Sequence, residues 1–224
     1  MRLLRWLSGG SGLGAEQRRR LDAWLALPEP ERTRIVVVDV ETTGLDMARD
    51  TLISIGAVAV VNGRIALGDS FSVVLQQSRI SRRENILIHG ISGSDQRAGL
   101  PPADALLDFL EYLGKSPLAA FHVAFDETMI RRAMREHLGL SFKHSWLDLA
   151  YALPALWPEL MRSHRTLDDW AARFAVHNED RHNAVADALA TAQLLLVAQK
   201  ARGMDYDRLR SLERRFRMAL ENAS

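Results

Sequence analysis

Ile35-Val36-Val37-Val38-Asp39-Val40-Glu41-Thr42-Thr43-Gly44 is the stretch on which the reading of the fold turns. Its run of β-branched residues has the composition of a strand buried on both faces. That run leads straight into two carboxylates. Side chains two apart on a strand share a face, so Asp39 and Glu41 project together while Val40 turns away. Two carboxylates held so close resist joint ionisation unless a cation lies between them. The pair therefore reads as part of a divalent-metal site, and hard oxygen donors favour Mg²⁺ or Mn²⁺ over zinc.

Working outward, Thr51 to Val61 reads as a second strand ending in Asn62-Gly63, a strong short hairpin signal, and Arg64 to Leu75 returns. Three sequential antiparallel strands are expected. Pro101-Pro102 opens a helix running to about Leu113. Leu118 to Phe121 is a short buried strand, followed by a helix from about Asp126 to Leu138 that Gly139 ends. Trp146 to Leu149 reads as a last strand or strand end, and Thr166 to Phe174 and Asn183 to Ala201 as helices. The class is α/β, with a mixed central sheet of three antiparallel strands plus parallel strands, flanked by helices.

The ends are read separately. Residues 8 to 14, Ser-Gly-Gly-Ser-Gly-Leu-Gly, form a flexible linker rather than a phosphate loop, since no Gly-Lys-Ser/Thr follows. Glu16 to Ala26 is a helix with Leu21, Trp24 and Leu25 on one face and Arg18-Arg19-Arg20 solvated on the other, stopped by Pro28 and Pro30. Tyr206 to Leu220 is amphipathic, with Leu209, Leu212, Phe216 and Leu220 at helical spacing among five arginines. Its basic side reads as a solvated face, a strand-binding face or a partner-docking face. The expected division is a basic N-terminal segment with linker and helix (1–32), a main domain (33–200) and a C-terminal helix (201–224).

With 224 residues, 47% of them hydrophobic, the chain can fill a real core. The absence of cysteine excludes disulfides and thiolate zinc sites. No apolar run approaches the roughly 20 residues of a membrane span. Met1 to Leu7 is interrupted by Arg5 and lacks a small-residue cleavage site, so a cytoplasmic location is the expectation. A net charge of +1 neither requires nor forbids a nucleic-acid partner.

Two later sites join the acidic pair. Asp126 sits where a helix follows a strand, either as a helix-terminal acid or as a ligand at the sheet rim. In Arg181-His182-Asn183-Ala184-Val185-Ala186-Asp187, Asn183 is a good N-cap. His182 then lies just outside the helix, with Asp187 in its second turn among small alanines that permit close approach to a sheet. Taken singly, Asp187 also reads as a solvent-facing acid and His182 as a loop histidine.

In order and spacing these segments resemble the DEDDh 3′-5′ exonucleases, the group of the bacterial replicative-polymerase proofreading subunit and ribonuclease T. Asp39-x-Glu41-Thr42-Thr43-Gly44 is similar to that family's first motif, Phe125-Asp126 to the second and His182-x-Ala184-x-x-Asp187 to the third. His89-Gly90-Ile91-Ser92 and Trp146-Leu147-Asp148 resemble intervening segments. The resemblance spans residues 33–200 and implies a ribonuclease H-like fold and metal-dependent removal of nucleotides from DNA or RNA 3′ ends. It implies two Mg²⁺ or Mn²⁺ ions held by Asp39, Glu41, Asp126 and Asp187, with His182 as general base. It also implies substrate contacts at Thr42, Thr43, Gly44 and Leu45, and a polymerase or other protein as partner. Phe121 and His122 stand where the second motif carries His-Asn, which leaves His122 as either a substitute polar contact or a structural histidine. The rival readings are a catalytically quiet nucleic-acid-binding or polymerase-associated module, and a nuclease active only within a larger complex.

Overall fold

The computed structural model describes residues 12–30, 33–178 and 180–222. Most of the expected linker, and Met1 to Leu7, lie outside the described residues. Helix α1 (Ala15–Leu25) is followed by strands β1 (Arg34–Thr42), β2 (Leu52–Val61) and β3 (Arg64–Val74). Short helices α2 (Arg83–His89) and α3 (Gly93–Ala98) lead to α4 (Pro102–Leu113), β4 (Leu118–Ala120), α5 (Val123–Leu138) and β5 (Trp146–Asp148). Four more helices follow: α6 (Leu149–Leu156), α7 (Leu167–Arg173), α8 (Ala184–Ala201) and α9 (Tyr206–Glu221).

The strands form one sheet in the order β3-β2-β1-β4-β5. β1, β2 and β3 pair antiparallel, while β4 and β5 run parallel to β1. Asn62 and Gly63 both take positive φ, 50° and 70°, as a two-residue hairpin turn requires.

The period-2 alternation of β1 divides the core. Val36, Val38 and Val40 pack with α4, α5 and the Leu21 and Trp24 side chains of α1. Ile35 and Val37 face the opposite side, with Leu153 of α6, Trp170 of α7, Leu195 of α8 and Leu209 of α9. Each such valine, once buried, contributes roughly 1.5–3 kcal/mol. Asp39 and Glu41 continue the row of Ile35 and Val37, so the pair emerges on the side that α8 covers.

Several expectations need correction. α5 begins at Val123, three residues before Asp126, because the acceptor for its free amides comes from Asp148 rather than from a local cap. Leu25 is exposed, and Arg20 is not solvated: its guanidinium reaches Asp108 at 2.6 Å and Glu111 at 2.7 Å on α4. On α9, Glu213 is buried while Leu220 is exposed. The sequence announces no helix at α2, α3 or α6. The first two are only seven and six residues long, and α6, Leu-Ala-Tyr-Ala-Leu-Pro-Ala-Leu, is apolar nearly all round and carries an internal proline.

Candidate active site

Three separate elements deliver the acids. Asp39 and Glu41 come from the C-terminal part of β1, Asp126 from the first turn of α5, and Asp187 from the start of α8. One oxygen each of Asp39, Glu41 and Asp187 lies within 4.8 Å of the others. Asp126 and Asp187 are buried, each 4% exposed, while Asp39 and Glu41 are half-buried at the foot of a cleft of about 550 Å³. His182 is exposed at the side of that cleft, just before α8. Asp39, Glu41, Asp187 and His182 thus line one cleft, and Asp126, which is not in its lining, stands close enough for its charge to bear on Asp39.

Close approach of α8 depends on one glycine. Gly56 pairs with Asp39 across β1 and β2. A Cβ at Gly56 would stand 2.3 Å from backbone atoms of Ala184 and Val185. Its absence lets the first turn of α8 lie directly on β2 and places Asp187 against the β1 acids. Asn183 caps that turn, its Oδ1 accepting from Val185 N at 3.1 Å.

The acids repel one another. Burial pushes the Asp39 carboxyl well above its usual range, and the neighbouring charges of Asp126, Asp187 and Glu41 push the same way, against Arg181. Burial raises Glu41 to about 8, helped by Asp187. Burial also raises Asp126, reinforced by the charges of Asp148 and Glu41 and opposed by backbone amides.

The direction of the Glu41 shift fixes how stability should depend on pH. Between the ordinary value of 4.5 and about 8, folded Glu41 binds more protons than unfolded Glu41. Its contribution to stability is then greatest below 4.5 and is lost as pH rises through 8. His89 and His144, whose pKa burial lowers, are largely neutral in both states above about pH 7. In chelator, the melting midpoint should therefore fall between about pH 7 and 8.5, and added Mn²⁺ should reverse the fall. A midpoint that rises over this interval would mean the carboxylates do not crowd one another.

The other cleft residues form a pre-set wall. Thr42 Oγ1 donates to Gly44 O at 2.6 Å, and Thr43 Oγ1 to Asp50 Oδ1 at 2.9 Å. Thr43 is thus turned to Asp50 rather than lining the cleft, whereas Thr42, Gly44 and Leu45 do line it. Leu45 is 85% exposed at the rim. Asn85 of α2 donates to Thr43 O, and Arg132 of α5 donates to Met47 O and to Asp50 O, so the turn is tied down on both sides.

At the second motif, His122 adopts the left-handed conformation, φ 66° and ψ 55°. Its amide donates to Asp148 Oδ1 and that of Val123 to Asp148 Oδ2, each at 3.1 Å. Asparagine and histidine both tolerate this backbone region better than most residues, so the His122 departure keeps the turn. Its exposed ring stands at the cleft mouth, edge-on to Phe121.

The sequence reading did not single out His89, Arg181, Asn178, Gly56 or Asp148 for the site. His89 lines the cleft; its Nδ1 accepts from Ile91 N at 3.1 Å, and its buried Nε2 has no partner among the described residues. A glycine inside a strand pattern is a known sign of close backbone approach, so Gly56 was within reach.

Residues 36–195 match the family model described as Exonuclease. The chain is 32% identical over 167 residues to a PolC-type DNA polymerase III of Thermotoga petrophila, covering 74% of this chain and 12% of that protein. It is 32% identical over 181 residues to a DNA polymerase III subunit epsilon-like protein of Rhodobacter capsulatus, covering 78% of this chain and 25% of that one. The chain thus spans only a minor part of either relative. Escherichia coli exonuclease I, solved with a dT13 oligonucleotide, superposes with a TM-score of 0.66 at 17% identity, covering 76% of this chain and 42% of that one. That likeness shows a shared ribonuclease H-like fold. With the motif matched from β1 through α8, the chain belongs to the DEDDh-type 3′-5′ exonuclease family.

Proposed function

We propose that the chain is a metal-dependent exonuclease that removes nucleoside 5′-monophosphates from the 3′ ends of DNA or RNA. The observation that carries this reading is the meeting of Asp39, Glu41 and Asp187 oxygens within 4.8 Å, beside an exposed His182 in an open cleft. The donor set is all carboxylate, and burial with neighbouring charge makes Asp39 and Glu41 resist ionising without a cation. Both features fit two Mg²⁺ or Mn²⁺ ions held by Asp39, Glu41, Asp126 and Asp187. Such ions, when bound, supply the charge that activates water and stabilises a departing oxygen.

The chain's own groups do the rest. His182 accepts a proton of the attacking water, the new P–O bond forms as the P–O3′ bond breaks, and the departing 3′-oxygen takes a proton from solvent to become the hydroxyl of the shortened strand. Leu45 wedges against the terminal base, while Thr42, Thr43 and Gly44 shape the turn beneath it. His122, exposed at the cleft, offers a polar contact to the nucleotide. The oligonucleotide held by exonuclease I supports a nucleic-acid substrate, and the two relatives support work beside a polymerase in the cytoplasm. Residues 33–200 form the catalytic unit of this reading, with 1–32 and 201–224 as its flanks.

With Mn²⁺, the protein should shorten a 5′-labelled oligonucleotide with a free 3′ end, leave a 3′-blocked one intact and stop in chelator. His182→Ala should keep Mn²⁺ affinity within about twofold by calorimetry and cut kcat by roughly 10²–10⁴. An unimpaired variant contradicts the base assignment.

A further inference from the structure

Asp187 is gripped from one side. Its Oδ1 accepts from Asn178 Nδ2 and Arg181 Nη1, and its Oδ2 accepts from His182 N at 3.1 Å. All three donors belong to the connection between α7 and α8. A carboxylate offers about four acceptor positions. Three are used by this connection, which leaves the remainder to face Asp39 and Glu41.

Arg181 also has a second arm. Its Nε lies 2.6 Å from Asp168 Oδ1 on α7. The guanidinium therefore runs from a surface acid, its side chain 62% exposed, to a buried one at 6%. His182 is the next residue along the chain and holds φ at 63°. Histidine tolerates that region better than most residues, and the amide of His182, donating to Asp187 Oδ2, fixes where the residue sits.

We propose that Arg181 is a positioning residue for the reaction: a two-armed brace between Asp168 and Asp187 that orients the Asp187 carboxylate and seats His182 beside the acids. The planar fork of arginine suits this task, because one group reaches two carboxylates in fixed directions; a lysine ammonium is a single point of charge. The kinetic consequence rests on the exonuclease reading, whereas the geometric consequence does not.

The test joins two measurements on the full chain. The first is hydrogen exchange at the His182 amide in metal-free protein. The second is kcat and KM on a single-stranded oligonucleotide with Mn²⁺. Arg181→Ala should lower His182 protection about tenfold and kcat about 100-fold, with KM moving less than about threefold. Arg181→Lys should resemble the alanine variant. Asp168→Ala, a surface change that leaves every cleft residue in place, should lose about tenfold in both readouts. The double variant should be no worse than Arg181→Ala, because both changes cut one brace. Added guanidinium ion should restore part of the turnover of Arg181→Ala and none of that of His182→Ala.

Additive losses in the double variant would overturn the brace, as would full turnover and protection in Arg181→Ala, or wild-type behaviour in Arg181→Lys. An inactive wild type would sink the exonuclease reading, and the exchange measurement would still decide the brace.

Discussion

Asp39→Asn is expected to abolish nuclease activity and, in chelator, to raise the melting temperature. The two effects have one origin. Asp39 is surrounded by the charges of Asp126, Asp187 and Glu41, with Arg181 as the opposing cation, and its own burial adds to the strain. An amide of the same shape removes the charge without leaving a cavity. Removing that charge is stabilising, because burial and the like charges around it both oppose the ionised form. For a chain of this size each kcal/mol of relief raises the melting midpoint by roughly 2–4 °C. The same change removes the central anion of the proposed cation site, and kcat should fall by about 10³ or more. Stability gained where function is lost marks a site built against folding preference. If Asp39→Asn lowered the melting temperature, or left a protein that still cuts, Asp39 would not be the crowded centre of the cluster.

Gly56→Ala should damage the enzyme from a residue that carries no chemistry. The added methyl would meet the backbone of Ala184 and Val185 at 2.3 Å, and backbone, unlike a flexible side-chain tip, cannot swing aside. The start of α8 must move by about an ångström, carrying Asp187 and His182 with it. A cost of roughly 2–4 kcal/mol is expected from such overpacking. A displacement of that size in a catalytic group lowers kcat about 100-fold. Gly68→Ala on β3 is the control, because nothing lies within 4 Å of its missing Cβ. Equal behaviour of the two variants would mean that α8 does not rest on Gly56.

The parts of the site that were legible in the sequence are those coded locally. The Val36-Val37-Val38 run dictates a buried strand, and its period of two carries Asp39 and Glu41 to one face. Asn62-Gly63 codes its own turn, and Asn183 its own cap. The missed parts depend on partners far along the chain. The start of α5 is capped by Asp148, 25 residues after Val123, so no local capping residue announces it. Arg181 looks like a surface arginine until α7 brings Asp168 to it. The aliphatic α6 shows no polar face from which a period could be read. On α9, five arginines hide the fact that an acid, Glu213, turns inward.

The central claim is that Asp39, Glu41, Asp126 and Asp187 together hold divalent cations. Crystals grown with Mn²⁺ and a nucleoside 5′-monophosphate, measured at the manganese absorption edge, test it most directly. Two anomalous peaks are predicted, one among Asp39, Glu41 and Asp187 and one between Asp39 and Asp126. A map with the nucleotide bound but no manganese signal within reach of these four carboxylates would contradict it.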